Sequence, residues 1–276
     1  MMQGIRTDFR LLMALGNGGI AAAPPPPPLN PPLSGLLTWF RGDKDVYGDI
    51  GGTIPAGNGL PVNVWKDQII GNKAVPTSTP STPIYAAGLP IAGANKPCIV
   101  FGSSTLGPTT AANTFFATVS PMNGSFASGT PFSIFLVTQM MRDSCVLGNN
   151  GGGGHGALNN QARVFYPNNL GVMFSSGGAS QSNNVPRSVD VPNLVEMIFD
   201  GTNVVYYENG TFVPNVGVSP PGPTGFYLDA IGALSSFAAL YALGNVWEIL
   251  VYNSAVSTVN RQAIETYIQA RYPGLF

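Results

Sequence analysis

Charge is scarce in this sequence. Only 9% of its 276 residues are charged, and 12 basic side chains against 13 acidic ones leave a net charge of −1. Such a chain lacks the basic surface that attracts nucleic acid or an anionic membrane, so we expect neither as a partner. A surface with few charges is typical of a protein packed against other chains, and we expect a homo-oligomer or a larger assembly.

Side chains that bind metals or form cross-links are also few. His155 is the only histidine, so no second imidazole can share a metal ion with it or activate a nucleophile. Cys98 and Cys145 lie in apolar segments, where a buried free thiol is common, although a disulfide between them stays open. No apolar run approaches the ~20 residues needed to span a bilayer.

Glycine and proline are abundant instead. The 35 glycines and 25 prolines indicate short strands joined by turns, and a hydrophobic content of 44% is ample for the core of one large β-domain. Strands are predicted over Leu36–Phe40, Lys96–Phe101, Pro131–Thr138, Asn193–Phe199 and Asn203–Tyr207. Asn209-Gly210 is the strongest hairpin-turn signal. Residues 71–97, rich in Thr, Ser and Pro, are predicted to form a long surface loop with edge segments.

Residues 244–272 carry the clearest pattern. The segment 246–252 is apolar on both faces of a strand except at Glu248, which predicts a strand covered on each side. Strict alternation places Trp247, Ile249 and Val251 on one face and Val246, Leu250 and Tyr252 on the other. Ser257 is placed to cap a helix that ends at Pro273-Gly274. The apolar stripe of this helix is predicted to contain Val259, Ala263, Ile264, Tyr267 and Ile268.

Four segments together resemble the concanavalin A-like lectin/glucanase, or laminin-G-like, jelly-roll family. They are the terminal strand with its asparagine turn and helix; Gly35–Asp43 as the opening strand; Val62–Asp67 with Gly71-Asn72 as the tryptophan–aspartate turn; and Phe199–Thr202 with Tyr207–Gly210 as the central hairpin. The resemblance implies an all-β sandwich of two antiparallel sheets with a short C-terminal helix over residues 34–276. One departure is Asn260, where the family usually has an acidic residue at the helix start.

The first 33 residues differ from the rest. One face of a short helix would carry Ile5, Phe9, Leu12 and Met13, so residues 1–23 are expected to be an extended anchoring arm. The next run is Pro24, Pro25, Pro26, Pro27 and Pro28, and it predicts a stiff polyproline spacer over residues 24–33. A secretory signal is the rival interpretation of residues 1–23, although Asp8 and the glycines near position 18 fit it poorly.

The carboxylates needed for glycan cleavage are not paired in this sequence. Retaining glycosidases hold two carboxyl groups about 5–5.5 Å apart on one strand face. Glu248 stands alone on its strand, and Glu196 and Asp200 are too far apart along theirs. No catalytic residue is therefore expected, and Glu248 is predicted to be a structural carboxylate bound by nearby hydroxyl or amide groups.

An acidic turn is the candidate metal site. Asp43, Asp45 and Asp49 loosely resemble a calcium loop with oxygen ligands at alternate positions. Tyr47 and Ile54 occupy positions where a helix–loop–helix calcium site needs ligands, so that type of site is not predicted. A Ca²⁺ ion held by the loop in the style of lectins stays open, beside the simpler interpretation of a solvated turn. No other cofactor is expected.

The resemblance also implies a class of function. Jelly rolls with this C-terminal signature are similar to structural proteins of tailed-bacteriophage virions, and no enzyme activity is expected. The leading hypothesis is a capsid decoration protein or head fibre on the virion surface, bound to capsid or tail proteins through residues 1–23. The alternative is a carbohydrate-binding, receptor-binding module on a phage tail or secreted from a bacterium, with a host surface glycan as its partner.

Overall fold

The computed structural model describes residues 30–76, 82–91, 93–102, 116–118, 126–127, 129–140, 144–148, 163–166, 173–176, 179–183, 191–216, 228–232 and 242–276. The predicted anchoring residues Ile5, Phe9, Leu12 and Met13 lie outside these ranges, as do Pro24–Pro28 and His155. Within the described ranges, no helix has the length and apolar character needed to cross a membrane.

The regular secondary structure of the described residues is β-strand except for one helix. The first nine strands are β1 (Leu36–Arg41), β2 (Val46–Tyr47), β3 (Val64–Lys66), β4 (Lys73–Pro76), β5 (Ile84–Ile91), β6 (Ala94–Phe101), β7 (Phe116–Thr118), β8 (Phe132–Met140) and β9 (Ser144–Gly148). The others are β10 (Arg163–Tyr166), β11 (Met173–Ser176), β12 (Ala179–Asn183), β13 (Asn193–Phe199), β14 (Val204–Glu208), β15 (Thr211–Val213), β16 (Asn215–Val216), β17 (Ala230–Ile231) and β18 (Gly244–Tyr252). One helix, α1 (Thr258–Arg271), follows them.

The strands form two antiparallel sheets. The first has eight strands, in the order β15-β14-β13-β8-β18-β6-β5, with β1 also paired to β18. The second has ten strands, in the order β16-β12-β11-β10-β9-β17-β7-β4-β3-β2. The predicted all-β sandwich with a short C-terminal helix is therefore confirmed, and most predicted strands are present within two residues of their expected bounds.

Two apolar cores hold these layers together. Between the sheets, the Phe40 ring of the first sheet lies 5.0 Å from the Trp65 ring of the second, measured between centroids, and Trp65 also contacts Phe116. Aromatic pairs of this kind add about 0.5–1.5 kcal/mol beyond their buried area. The second core lies between the first sheet and α1, where Trp39 contacts Tyr267 edge to face. The first sheet is thus covered on both sides.

The strand predicted from residues 246–252 is buried throughout, but its alternation breaks at one residue. Val246, Ile249 and Val251 face the core between the sheets, whereas Trp247, Leu250 and Tyr252 face α1. The prediction for Val246 and Trp247 was wrong because a bulge in the pairing of β18 with β8 lies between Val246 and Glu248. A bulge adds one residue to a strand and turns the side chains that follow it. Trp247 and Glu248 consequently lie on the same side.

The helix begins as predicted and buries the predicted stripe except at its first residue. The Ser257 hydroxyl accepts a hydrogen bond from the Asn260 amide, and Ile264, Tyr267 and Ile268 are buried against the first sheet. Val259 is 74% exposed, so its predicted place in the stripe was wrong. At about 100° per residue it lies roughly 140° around the helix from Ile264. Arg261 is buried in its place.

The segment predicted as a surface loop, residues 71–97, was also wrong in part. It contains β4, β5 and the start of β6. Among the described strands, β5 pairs with β6 and lies at the edge of its sheet, where half-exposed residues and Pro90 are tolerated. A single antiparallel bridge also joins Ile84 of β5 to Pro61. Cys98 and Cys145 lie buried on β6 and β9 of different sheets and form no disulfide with each other. The Cys145 thiol donates a hydrogen bond to the Leu147 carbonyl at 3.2 Å. Burial raises the pKa of the Cys98 thiol to about 12.

Candidate functional site

A cavity of about 240 Å³ lies where the chain passes from β1 of the first sheet to β2 of the second. It is lined by Asp43, Lys44, Asp45, Val46, Tyr47, Pro55, Ala56 and Tyr85, and we call it the tyrosine cavity. Residues 43–56 form most of the wall, and β5 supplies Tyr85. Backbone hydrogen bonds from the Gly59 amide to the Tyr85 carbonyl and from the Tyr85 amide to the Leu60 carbonyl join the two parts of the wall.

Asp43 is held by two guanidinium groups. Its Oδ1 accepts from Arg41 Nε and from Arg271 Nη2, both at 2.9 Å, and its Oδ2 accepts from Arg41 Nη2 at 2.9 Å. Burial by itself would raise the pKa of Asp43, but the two arginines overcome that effect and lower the pKa below its ordinary value. The side chain is still 31% exposed, so an ionised acceptor remains open to the cavity.

Asp45 is fixed in an uncommon backbone conformation. Its φ is 55°, in the left-handed region, and its carbonyl accepts a hydrogen bond from the Lys66 amide. The carboxylate accepts from the Tyr47 hydroxyl and from Gln68 Nε2, both at 2.9 Å, and these bonds lower its pKa against the opposing effect of burial. Asn209 shares the positive φ, but a tight hairpin turn requires it there. Non-glycine residues held in the left-handed backbone region without such a turn cluster at functional sites.

The two tyrosines give the cavity its apolar surface. The Lys66 ammonium lies 4.3 Å from the centroid of the Tyr47 ring, which fixes that ring from one side. Burial raises the pKa of the Tyr85 phenol, and the negative charge of Asp43 adds to the effect, so the hydroxyl stays a donor. Two ionised acceptors, two phenol rings and a small volume match a ligand with hydroxyl groups around one compact ring.

The structure brings two of the three predicted metal ligands to this cavity and places the third elsewhere. Asp49 Oδ1 accepts from the Thr53 and Ile54 amides and its Oδ2 from the Thr53 hydroxyl, so this carboxylate closes its own turn. No group of three or more His, Cys, Asp or Glu side chains in the described ranges is arranged to hold a metal ion. The calcium site stays a prediction, with two acidic residues on the cavity.

Glu248 is a structural carboxylate, as predicted. Although it is fully buried, it accepts hydrogen bonds from Trp39 Nε1 (2.6 Å), the Tyr267 hydroxyl (2.6 Å), Arg271 Nε (3.0 Å) and the Tyr272 hydroxyl (2.9 Å). Three of these donors belong to α1 and its C-terminal cap, so the carboxylate fastens the helix to β18. Arg271 also bonds Asp43 and thereby links this cluster to the tyrosine cavity.

Several residues of the site have no clear signal in the sequence. Tyr47 was considered only as a residue that does not fit a calcium-ligand position, and Tyr85 lies within the segment predicted as a surface loop. The available signal for Tyr85 was the adjacent pair of strand-favouring residues Ile84-Tyr85, which is weak beside the prolines and serines that precede it. Arg271 lies 228 residues from Asp43 in the chain, and no local pattern predicts that contact.

Comparison with solved structures shows the fold. The chain is similar to the binding domain of Paraclostridial Mosquitocidal Protein 1, with a TM-score of 0.53 and 10% identity over 85% of this chain and 52% of that one. It is similar to the Botulinum Neurotoxin serotype G binding domain, with a TM-score of 0.51 and 9% identity over 84% and 50% of the two chains. Domain 4 of AbnA, a GH43 extracellular arabinanase from Geobacillus stearothermophilus, matches with a TM-score of 0.48 and 14% identity over 84% and 98%.

The similarity covers only part of the two toxin binding domains. The chain spans about half the length of the two toxin binding domains. No family model matches the chain, and no curated protein matches it by sequence. Identities near 10% between structures are evidence for a common β-sandwich and for nothing finer.

Proposed function

We propose that this chain is a carbohydrate-binding module whose ligand occupies the tyrosine cavity. The observation that carries the proposal is the meeting of two ionised carboxylates, Asp43 and Asp45, with the rings of Tyr47 and Tyr85 around about 240 Å³. Carboxylates accept hydrogen bonds from sugar hydroxyls, and phenol rings cover the apolar face of a sugar ring. The volume lies just below the ~300 Å³ at which pockets for drug-sized ligands begin, which suits one ring.

The same geometry argues against catalysis. A glycosidase needs a general acid whose pKa is raised, but the pKa values of Asp43 and Asp45 are lowered. Glu248 is fully buried beneath its four donors. Glu196 has a raised pKa but is also fully buried, on the side of the sheet that α1 covers. We therefore propose binding without turnover.

Binding to a glycan array, followed by calorimetry of the full chain with the best ligand, tests the proposal. Tyr85→Ala is expected to weaken binding by roughly tenfold or more, because it removes the ring that β5 contributes. Phe212→Ala is the control for loss of an aromatic ring away from the cavity, since Phe212 is exposed on β15. Binding that survives Tyr85→Ala and is lost in Phe212→Ala would overturn the assignment. If the protein releases reducing ends from a polysaccharide and Glu248→Gln abolishes that release, the proposal of binding without turnover is wrong.

The position of the first described residues favours an anchored form of this module. Tyr252 donates a hydrogen bond to the Pro32 carbonyl, so the chain enters the sandwich beside the end of β18. The tyrosine cavity follows the other end of β1, about 17–20 Å along that strand. A chain fixed through residues before Asn30 would therefore present the cavity away from its support. This placement is compatible with the hypothesis of a virion surface protein and with any other anchored receptor-binding protein.

Deletion of residues 1–23 separates anchoring from ligand binding. We expect the shortened chain to fold and to keep its glycan affinity, because the described core and cavity begin at residue 30. If residues 1–23 are the anchor, the shortened chain no longer co-sediments with the virions or other surface to which the full chain binds. Undiminished co-sedimentation would assign docking to the sandwich.

A further inference from the structure

We infer that the binding site continues past Asp43 into a second cavity, and that its ligand is an acidic saccharide whose anionic substituent is held there by Lys96 and Arg271. The second cavity is lined by Asp43, Lys96, Pro97, Arg271 and Tyr272, and we call it the lysine cavity. This inference rests on the proposed carbohydrate-binding function and names the class of saccharide.

The two cavities share one wall. Asp43 lines both of them, so the tyrosine cavity and the lysine cavity adjoin at this residue. The lysine cavity has a volume of about 60 Å³. Since it has a quarter of the volume of the tyrosine cavity, this space suits a carboxylate-sized group rather than a second sugar ring. A ring in the larger cavity with one substituent in the smaller fits both volumes.

The charges around the lysine cavity leave one cation uncompensated. Asp43 and Glu248 are the carboxylates of this region, and Arg41 and Arg271 are bonded to them. Lys96 forms no ion pair with any residue in the described part of the chain. Its backbone is fixed, since its carbonyl accepts a hydrogen bond from Trp247 Nε1 at 3.3 Å. An anionic substituent would complete the charge balance.

Arg271 has donors left for the same substituent. Its Nε bonds Glu248 and its Nη2 bonds Asp43, which fixes the plane of the guanidinium. Within the described ranges, Glu248, Asp43 and the Tyr272 hydroxyl are its hydrogen-bond partners, so two of its five N–H donors stay open there. A guanidinium held in one plane is well suited to a planar carboxylate. An ammonium and a fixed guanidinium on one small cavity form a site for an anion.

Calorimetry with matched oligosaccharides tests the inference on the full chain. Trigalacturonate and its fully methyl-esterified form have the same rings and differ in charge. We expect the acidic form to bind roughly tenfold more tightly at low salt, because a charge-assisted hydrogen bond exceeds a neutral one by about that factor. Equal affinity of the two forms would overturn the inference and leave the proposed function intact. If neither these sugars nor any array glycan binds, the proposed function itself fails.

Variants of Lys96 locate the preference. Lys96→Gln is expected to reduce the preference for trigalacturonate over the ester without changing ester binding, because Arg271 remains, and Lys96→Arg to retain the preference. Lys73→Gln is the matched control, because Lys73 is a half-buried lysine of β4 in the second sheet. A preference that is undiminished in Lys96→Gln would overturn the role of the lysine cavity. A sulfated trisaccharide included beside these ligands shows whether the cavity selects carboxylates or accepts any anion.

Discussion

Two buried glutamates lie beneath the same helix and differ in almost every contact. Glu248 on β18 accepts four hydrogen bonds from Trp39, Tyr267, Arg271 and Tyr272. Glu196 on β13 is equally buried, but its Oε1 accepts from the Gly210 amide at 3.2 Å and its Oε2 has no hydrogen-bond partner. Burial alone therefore does not determine whether a carboxyl group is ionised. The hydrogen-bond donors around it must also be known.

The surroundings of Glu196 explain its behaviour. Arg261 Nη1 lies 3.7 Å from Glu196 Oε2, but the same nitrogen bonds Glu265, and the Arg261 guanidinium stacks on the Tyr207 ring. Burial and the negative charge of Glu265 together raise the pKa of Glu196 to about 8. The positive charge of Arg261 acts in the opposite direction but does not cancel their effect. One helix thus covers a carboxylate with matched donors and a carboxyl group that keeps its proton at neutral pH.

Removal of the Glu248 carboxylate should produce the largest effect. Glu248→Ala leaves Arg271, Trp39 and two tyrosine hydroxyls buried without their acceptor, and we expect the free energy of unfolding to fall by about 3–5 kcal/mol. Urea denaturation followed by tryptophan fluorescence measures the change. Asp200→Asn is the control, since this aspartate is exposed in a turn. A loss below about 1 kcal/mol would mean that the cluster does not hold α1 in place.

Glu196 should make stability depend on pH. Above 4.5, its ordinary pKa, the unfolded chain releases this proton, whereas the folded protein keeps it until about pH 8. The folded state binds more protons in this window, so its stability falls as pH rises from 4.5 to about 8. Urea denaturation between these pH values measures the slope.

Substitution of Glu196 tests the source of that slope. Glu196→Gln cannot ionise and is expected to flatten the pH dependence. Glu265→Gln removes the neighbouring charge and lowers the pKa of Glu196, so the loss of stability should be smaller and end at a lower pH. A slope that is unchanged in Glu196→Gln would show that another group titrates in this range.

A single hydroxyl of the Glu248 cluster should matter least. Tyr267→Phe keeps the ring that packs on Trp39 and removes one of the four hydrogen bonds to the carboxylate. We expect a loss of about 1–2 kcal/mol in the free energy of unfolding. Tyr207→Phe is the control, because that hydroxyl has no hydrogen-bond partner in the described part of the chain. If both variants lose the same free energy of unfolding, the hydrogen bond from Tyr267 to Glu248 does not contribute to stability as described.

Local patterns in the sequence determined the elements of this protein. An apolar run on both faces predicted the buried strand β18, Ser257 predicted the start of α1, and Asn209-Gly210 predicted the turn between β14 and β15. These features follow from interactions between residues close in the chain, such as capping and turn geometry, so the residues themselves contain the information. The buried, structural role of Glu248 followed from its isolation in an apolar strand.

The tertiary structure decided which faces and which partners those elements use. A bulge fixed by the pairing of β18 with β8 turned Trp247 and Glu248 toward α1, and the edge position of β5 brought Tyr85 to Asp43 and Asp45. The nearness of Glu196 to Glu265 and of Arg271 to Asp43 depends in the same way on how α1 lies across the first sheet. Such contacts join residues far apart in the chain, and their energies exist only once the layers have packed.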